Sequence, residues 1–581
     1  MTTGGDLVAR MLRAEDVEIV FGIIDGSYFG LYSSLAKHGI RLISPRHETT
    51  AVHMAGAYAR TTGKLGVCMA SNGPGMANAL PGVAVENGEG NRVLLLSSWR
   101  RTGIVGPDRG GAFQYFDQVG FTRPMTKWSG TAPSFERLAQ AMRRAFRISF
   151  RGRPGVVHLT VPEDILNGSF EGGPAVLEPR QYRRVEPLEP TGDLVRRSAD
   201  LLLAAELPLL QVGSGVVHAG ACEFVASLAS ALCAPVTTSW GGRPALDDRF
   251  RNAVPLLPPL VNEVRNQADV VLALGTRFGE TDWWGKPPYW RAPEEQRVIQ
   301  VDIDEEIFGV NKPVELAVLA DAKLYLKALL RELESRSAAA NLAEREVRLG
   351  EFSETKAALR GFLHTIPSPR EHEPMHSAYV PMVCREVFDD DAILVIDGGN
   401  TAVWSNLFHE NRVPGSTLST FKFGMLGAGF GQALGAKAAH PKRQVYCIIG
   451  DGAMGFHPQE IETAVRAELA VIFLVLCDRQ WGMVKFGQSM AVDPQTMTAE
   501  RSLPVDRLVN TDFGEIRFDD LARSMGAHGE RVAHVSELAP AIERSLRSGR
   551  CSVIHVDVDP VRHLWAPGLK HFRDMHGEPR G

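Results

Sequence analysis

The chain reads as an α/β protein of three doubly wound parallel-sheet domains, because short apolar runs of strand length alternate with helical periodicity three times over. The first set of runs covers residues 17–21, 65–69 and 93–97, and the second 209–212, 270–274 and 298–302. The third covers 392–396, 445–449, 471–476 and 553–557. Runs that are apolar throughout, rather than at every second residue, belong to strands covered on both faces. Stretches rich in proline and charge separate the sets: residues 178–187, and residues 338–374 with a charged helix followed by Pro367, Pro369 and Pro374. Such stretches have the composition of linkers. The expected domains therefore span 1–178, 190–340 and 375–560, followed by a tail over 561–581.

A chain of 581 residues calls for several domains of about 100–200 residues each. At 44% hydrophobic and 23% charged residues its composition is that of a globular protein. A net charge of -5 with no long basic run points to neither nucleic acid nor a membrane surface as partner. The seven cysteines, Cys68, Cys222, Cys233, Cys384, Cys447, Cys477 and Cys551, are scattered without a CxxC pair, as in a reducing compartment. With no basic-then-apolar leader pattern and no apolar run of roughly 18 residues, the expected location is cytoplasmic. No repeat of solenoid period and no low-complexity tract is present. No GxGxxG follows a strand with an acidic partner about 20 residues on, which argues against a nicotinamide-dinucleotide enzyme.

The densest chemical signal lies in the third set. Gly450-Asp451-Gly452 closes one strand, a helical run follows, and Asp478 closes the next strand, ahead of Arg479-Gln480-Trp481-Gly482-Met483. The helix folds the two carboxylates side by side, a hard-oxygen pair suited to Mg²⁺ or Ca²⁺ that leaves positions for phosphate. Glycines around Asp451 and Ala453 let main-chain N–H groups approach an anion at a helix start. An Asp-Gly pair is also an ordinary turn.

The segment 450–483 resembles the thiamine-diphosphate (ThDP) motif of the acetolactate synthase and pyruvate decarboxylase superfamily. Arg46-His47-Glu48 resembles that family's segment whose Glu contacts the aminopyrimidine of ThDP, which implies that Glu48 is the activating carboxyl. Gly73-Pro74-Gly75 resembles the turn beside the pyrimidine, and Asp397-Gly398-Gly399-Asn400-Thr401 the loop that offers donors to the diphosphate. Aligned by its glycines, Phe423-Gly424-Met425-Leu426-Gly427 places either Leu426 or Met425 under the bent cofactor. Asp451, Asp478 and Gln480 correspond to the Mg²⁺ ligands, Asp478 replacing the usual Asn, with Trp481, Gly482 and Met483 beside the cofactor. Ala112-Phe113-Gln114 and Arg123-Pro124-Met125-Thr126-Lys127 resemble segments of acetolactate synthases and 2-hydroxyacyl-CoA lyases, where Gln114 would stabilise a developing alkoxide next to Phe113.

The three-domain order matches the family's pyrimidine-binding, central and diphosphate-binding domains, so the resemblance covers nearly the whole chain. It implies a ThDP- and Mg²⁺-dependent carboligase that condenses a fragment of a pyruvate-like 2-oxo acid with a second carbonyl compound. The alternatives are a 2-hydroxyacyl-CoA or oxalyl-CoA type lyase, and a simple 2-oxo acid decarboxylase. It further implies a site assembled between two subunits, hence a homodimer or homotetramer. Departures from the family pattern bear on the substrate. Asp25-Gly26-Ser27-Tyr28 brings a carboxylate and a phenol to the substrate side, or Asp25 caps the following helix. Gly487 stands where acetohydroxyacid synthases carry a Trp that narrows the acceptor pocket.

In the central domain Gly275, Arg277 and Asp302 resemble segments that hold FAD in acetolactate synthases or ADP in CoA-using relatives. Gly241-Gly242-Arg243-Pro244-Ala245 lacks the GMHG loop of the FAD-binding members, and the fold persists without a nucleotide. The tail from His563 to His576 combines aromatic and basic residues, the make-up of either a lid or a packed terminus.

Overall fold

A computed structural model describes residues 1–105, 110–336, 341–367, 374–420, 422–495, 507–575, 577 and 579. Pro369 and His576, named above, lie outside the described residues. Among those described, three six-stranded sheets form, each parallel throughout and flanked by helices. From edge to edge the first sheet runs Arg41–Ile43, Ile19–Gly22, Gly66–Ala70, Val93–Trp99, Val156–Pro162, Trp128–Thr131. The third runs Thr417–Ser419, Ile393–Asp397, Val445–Gly450, Val471–Cys477, Ser552–Asp557, His528–Val532. Numbered within each sheet in chain order, both have the order 2-1-3-4-6-5. The central sheet, Ala253–Val254, Val236–Thr238, Pro208–Val212, Val270–Leu274, Arg297–Asp302, Leu316–Leu319, has the order 3-2-1-4-5-6.

Every apolar run became a strand, displaced by no more than a residue or two at its ends. The three sheets contain eight further strands with weaker patterns. Arg41–Ile43 and His528–Val532 sit at sheet edges with polar, part-exposed residues, and Val156–Pro162 is fully buried although it contains His158 and Thr160. His158 is tolerated there because Nε2 pairs with Ser97 at 2.7 Å while Nδ1 meets Thr122 at 2.9 Å and Ser129 at 2.8 Å. A buried polar group with its partners supplied costs little, so the strand does not need the apolar signature.

The first and third sheets share one hydrophobic core, joined by the helices Glu48–Thr62 and Ala428–Ala439. Their approach requires glycine: a Cβ on Gly435 would lie 2.3 Å from the Met54 carbonyl oxygen, and one on Gly431 2.4 Å from His53 Cβ.

The two proline- and charge-rich stretches are packed rather than loose. The helix Leu342–Thr365 buries Arg345, whose guanidinium donates to the carbonyls of Leu202, Leu203, Leu232 and Ala205, and Lys356, which donates to those of Asp248, Phe250 and Ala253. Arg183, in the first stretch, pairs with Glu15 and lies 3.6 Å over the Phe150 ring. The tail is likewise seated: Leu564 is buried, and Ala566, Leu569 and Met575 join the core around Trp283, Trp290 and Trp404. Among the described residues no helix is long and apolar enough to cross a membrane.

Candidate active site

The strand order of the third sheet reverses between Ile393–Asp397 and Val445–Gly450, and open α/β sheets bind ligands beyond the carboxyl ends of the strands at such a point. Asp397 lies opposite Ile449, and Gly450 opposite Leu476, so the residues that follow three neighbouring strands emerge together. These are Gly398-Gly399-Asn400, Asp451-Gly452 and Asp478.

Asp451 opens the short helix Asp451–Met454. Its Oδ1 accepts the Gly452 amide at 2.7 Å and its Oδ2 the Arg479 amide at 2.6 Å. Asp478 Oδ2 accepts Nε2 of Gln480 at 3.0 Å, and the same Nε2 donates to the Pro560 carbonyl at 2.7 Å. The Gln480 amide nitrogen is thereby occupied, and its main-chain carbonyl, already accepting from Gly482 at 2.9 Å, keeps one lone pair for a cation. Burial, aided by the charge of Asp478, pushes the Asp451 carboxyl up to about 7, and burial pushes Asp478 up to about 6.

The donor set fits a divalent cation and a diphosphate. Two buried carboxylates sit together without a compensating cationic side chain in hydrogen-bonding contact, an arrangement whose ionised form a divalent ion would favour. Asn400 Oδ1 is buried with no partner among the described residues. Gly482 keeps the floor open, since a Cβ there would meet Asn400 Nδ2 at 2.9 Å and Asp478 Oδ2 at 3.0 Å. No cluster of three or more His, Cys, Asp or Glu side chains among the described residues is placed to hold a metal. Two carboxylates plus a carbonyl leave coordination positions for ligand oxygens, as Mg²⁺ sites do.

A cavity of about 350 Å³ gathers the residues predicted for the diphosphate side: Asn400, Thr401, 424–426, 450–453, Asp478 and 480–483. Trp481 is wedged between Gly452, whose Cβ would lie 2.8 Å from the indole, and Phe513, whose ring meets it edge-on at 4.6 Å. Asp397, from the loop predicted to face the diphosphate, also lines this cavity, and so do residues the sequence reading did not assign to it, among them Trp240 and His563. No local pattern flags His563, which follows the last strand in a segment classed as tail.

The pyrimidine-side residues form a second group. Glu48 is the first residue of its helix, which His47 caps through Nδ1 to the Thr49 amide at 3.2 Å. The Glu48 carboxylate is buried and accepts Asn78 Nδ2 at 3.2 Å. Gly73-Pro74-Gly75 lies between Glu48 and Gln114: a Cβ on Gly75 would be 3.2 Å from Glu48 Oε1, and one on Gly73, at φ +64°, 2.7 Å from Gln114 Cβ. Pro74 starts the helix Pro74–Glu89, where its missing N–H costs nothing. Gln114 takes φ +56° with its side chain exposed, and Phe113 is 73% exposed. Glu48, Gly73 and Gln114 do not line the 350 Å³ cavity of their own chain.

Asp25 shows the second of its two readings, and the expectation for Tyr28 is corrected. Asp25 accepts the Ser27 amide at 2.8 Å and so serves as a cap. Tyr28 does not face a substrate: it is buried in the first domain's core, its hydroxyl donates to the Ile23 carbonyl, and burial pushes the phenol well up. An aromatic ring gains more from that core than from solvent, and the nearby carbonyl satisfies the hydroxyl. Gly26 and Gly487 are exposed with no atom within 4 Å of a built Cβ, Gly487 on the helix Gly482–Val492.

Gly275, Arg277 and Asp302 all line a larger cavity of about 900 Å³ at the order reversal of the central sheet. Gly275, at φ +56°, lets the strand end pass so close to Gly213 that a Cβ on Gly213 would lie 2.1 Å from the Gly275 oxygen. Arg92, Arg153 and Lys422 add positive charge to this wall. Asp302 Oδ1 accepts the amides of Ile303 and Asp304 at 2.8 and 3.1 Å. The two cavities adjoin, since Trp240 lines both and the loop over 420–426 contributes Thr420 and 424–426 to the smaller and Lys422 and Phe423 to the larger.

The family described as thiamine pyrophosphate enzymes matches in three parts: its N-terminal TPP binding domain over residues 2–121, its central domain over 195–329 and its C-terminal TPP binding domain over 397–556. Similar relatives include the acetolactate synthase isozyme 3 large subunit of Escherichia coli, 30% identical over 97% of this chain and 96% of that protein. The acetolactate synthase large subunit of Haemophilus influenzae is 28% identical, covering 97% and 96% respectively. The probable acetolactate synthase large subunit of Methanocaldococcus jannaschii is also 28% identical, covering 97% and 93%.

Proposed function

The chain belongs to the thiamine pyrophosphate enzymes, as an acetolactate synthase-like member that forms carbon-carbon bonds, and from this we propose a Mg²⁺-dependent carboligase that joins a pyruvate-like 2-oxo acid to a second carbonyl compound. The observation that carries this is the convergence of Asp451, Asp478 and Asn400 in one cavity at the order reversal of the third sheet. Bound ThDP supplies a nucleophilic carbon for breaking and making bonds beside a carbonyl. Asp451, Asp478 and the Gln480 carbonyl would hold the metal, and the amides of the 398–400 loop would meet the diphosphate. Glu48 would be the carboxyl that exchanges a proton with the pyrimidine ring, and Gln114 the donor to an oxygen that gains charge. Either Leu426 or Met425 would be the apolar support for the cofactor, both lining the cavity.

Because Glu48, Gly73 and Gln114 lie off the metal cavity of their own chain, the complete site takes Glu48 from one copy and Asp451 from another, in a homodimer or homotetramer. The relatives' names as large subunits extend the proposal to a smaller partner chain. The 900 Å³ cavity, with Arg92, Arg153 and Arg277 in a wall that also carries carboxylates, suits the diphosphate of a nucleotide, FAD or ADP. All seven cysteines are free thiols, which supports a reducing, cytoplasmic compartment. The test is incubation of the enzyme with ThDP, Mg²⁺ and pyruvate, with and without aldehydes, 2-oxo acids and acyl-CoAs, followed by mass spectrometry. Acetolactate or another acyloin is expected. Cleavage of a 2-hydroxyacyl-CoA with no turnover of pyruvate would overturn the carboligase assignment in favour of a lyase.

A further inference from the structure

His563 ends the short helix Pro560–His563 that follows the last strand of the third sheet, and its side chain is buried in the metal cavity. Its placement is fixed from two sides. Nδ1 lies 2.7 Å from the hydroxyl of Ser377, itself 1% exposed. The His563 carbonyl accepts Nε1 of Trp404 at 2.9 Å and Nδ2 of Asn400 at 3.4 Å. Held this way, the ring sets Nε2 3.9 Å from Asp478 Oδ2. The same helix reaches Asp478 by a second route, because the Pro560 carbonyl holds the Gln480 amide that donates to that Oδ2.

The carboxylate selects the tautomer. A lone pair on Nε2 facing a carboxylate oxygen is repelled and an N–H is attracted, so the proton belongs on Nε2 and Nδ1 accepts from the Ser377 hydroxyl. At 3.9 Å the ring N–H is beyond a hydrogen bond and acts on Asp478 electrostatically, beside the Gln480 amide that bonds to it. Outer partners orient metal-ligating carboxylates, and their loss costs up to about 10–100-fold in metal affinity. Mg²⁺ requires near-octahedral geometry at about 2.0–2.1 Å, whereas Ca²⁺ accepts a loose shell at about 2.3–2.6 Å. A less firmly oriented Asp478, held by Gln480 Nε2 without the ring, therefore harms Mg²⁺ more than Ca²⁺.

We propose that His563, fixed by Ser377, is a positioning residue that orients Asp478 and so sets the preference of the cavity for a small divalent cation. This rests on the cofactor assignment made above. The test titrates Mg²⁺ and, separately, Ca²⁺ into the full-length enzyme at saturating ThDP, reading cofactor binding from the quenching of tryptophan fluorescence, Trp481 lying in the cavity wall. In His563→Ala the Mg²⁺ half-saturation point is expected to rise by about 10–100-fold and the Ca²⁺ point by less. His563→Gln, which restores a donor, recovers part of the loss, and Ser377→Ala, which frees the ring, falls between. Unchanged half-saturation in His563→Ala, or an equal loss for both ions, overturns the proposal, because a merely structural residue leaves the ion preference intact. Should His563→Ala fail to fold, the Mg²⁺-to-Ca²⁺ ratio of Ser377→Ala decides by the same criterion. A wild-type enzyme that binds no ThDP with either ion overturns the parent assignment as well; one that binds normally beside an unaffected His563→Ala overturns the role of His563 alone.

Discussion

Asp451 carries the Arg479 amide on its Oδ2 at 2.6 Å, so the loop that presents Asp478 is fastened to the loop that presents Asp451. Arg479 takes φ +58° in that contact, a left-handed conformation that costs a non-glycine residue about 1–2 kcal/mol and that the hydrogen bond helps offset. On the proposed metal reading one carboxylate would serve both as a cation ligand and as the clasp that brings the second carboxylate alongside.

Asp451→Asn retains an acceptor for Arg479 but removes a charge from the metal. It should unfold near the wild-type temperature while its Mg²⁺ requirement rises by at least about 100-fold, as loss of an inner ligand must exceed that of an outer one. Asp451→Ala should in addition lose about 1–3 kcal/mol of stability, as amides at Gly452 and Arg479 go unpaired. Thermal scans and calorimetric Mg²⁺ titration separate the two.

Asp397 has a pH signature. Burial pushes its carboxyl from 3.8 up to about 6, against the pull of the Gly429 amide bonded to Oδ2 at 2.7 Å. Between those values the folded protein keeps a proton that the unfolded chain has lost. The contribution of Asp397 is therefore full below the unfolded value and disappears as pH rises through about 6. Urea unfolding of cofactor-free Asp397→Asn should show a flatter pH dependence than wild type across this range, the difference amounting to something on the order of 3 kcal/mol.

The joint between the first and third sheets depends on Gly435, where a Cβ would lie 2.3 Å from the Met54 carbonyl oxygen. Gly435→Ala should cost about 1–3 kcal/mol or more, because backbone rather than a flexible side chain must give way. Chemical denaturation measures the loss.

Glu48 does not line the cavity of its own chain that holds Asp451, so variants disabled at each should complement one another. Glu48→Gln and Asp451→Ala, each inactive alone, should regain turnover when co-expressed and purified as a mixed oligomer. Continued inactivity would mean that the site is not shared between copies.

Gly487→Trp meets no atom within 4 Å at its Cβ and should fold normally. If this helix borders the acceptor, the variant should discriminate against bulky acceptors by about tenfold or more relative to pyruvate, a ratio read from kcat/KM.

The sequence by itself determined what repeats locally. Ten strands were legible because a strand covered on both faces must be apolar throughout, and Asp451 and Asp478 were legible because each stands where such a run stops. Glu48, Gly73 and Asn400 were found by resemblance of short segments, and the structure brings Glu48 and Gly73 to one place and Asn400 to the other.

Only the tertiary structure decided matters that depend on partners far along the chain. Tyr28 turns inward because a carbonyl and a core await it, and Arg345 makes its charged helix part of the central domain because four carbonyls converge on it. His563 stands at Asp478 because Ser377, 186 residues earlier, holds its ring. Periodicity and turn chemistry act over a few residues and are written in order along the chain. Which side chains satisfy one another across it is settled by packing and by the cost of leaving a buried polar group unpaired.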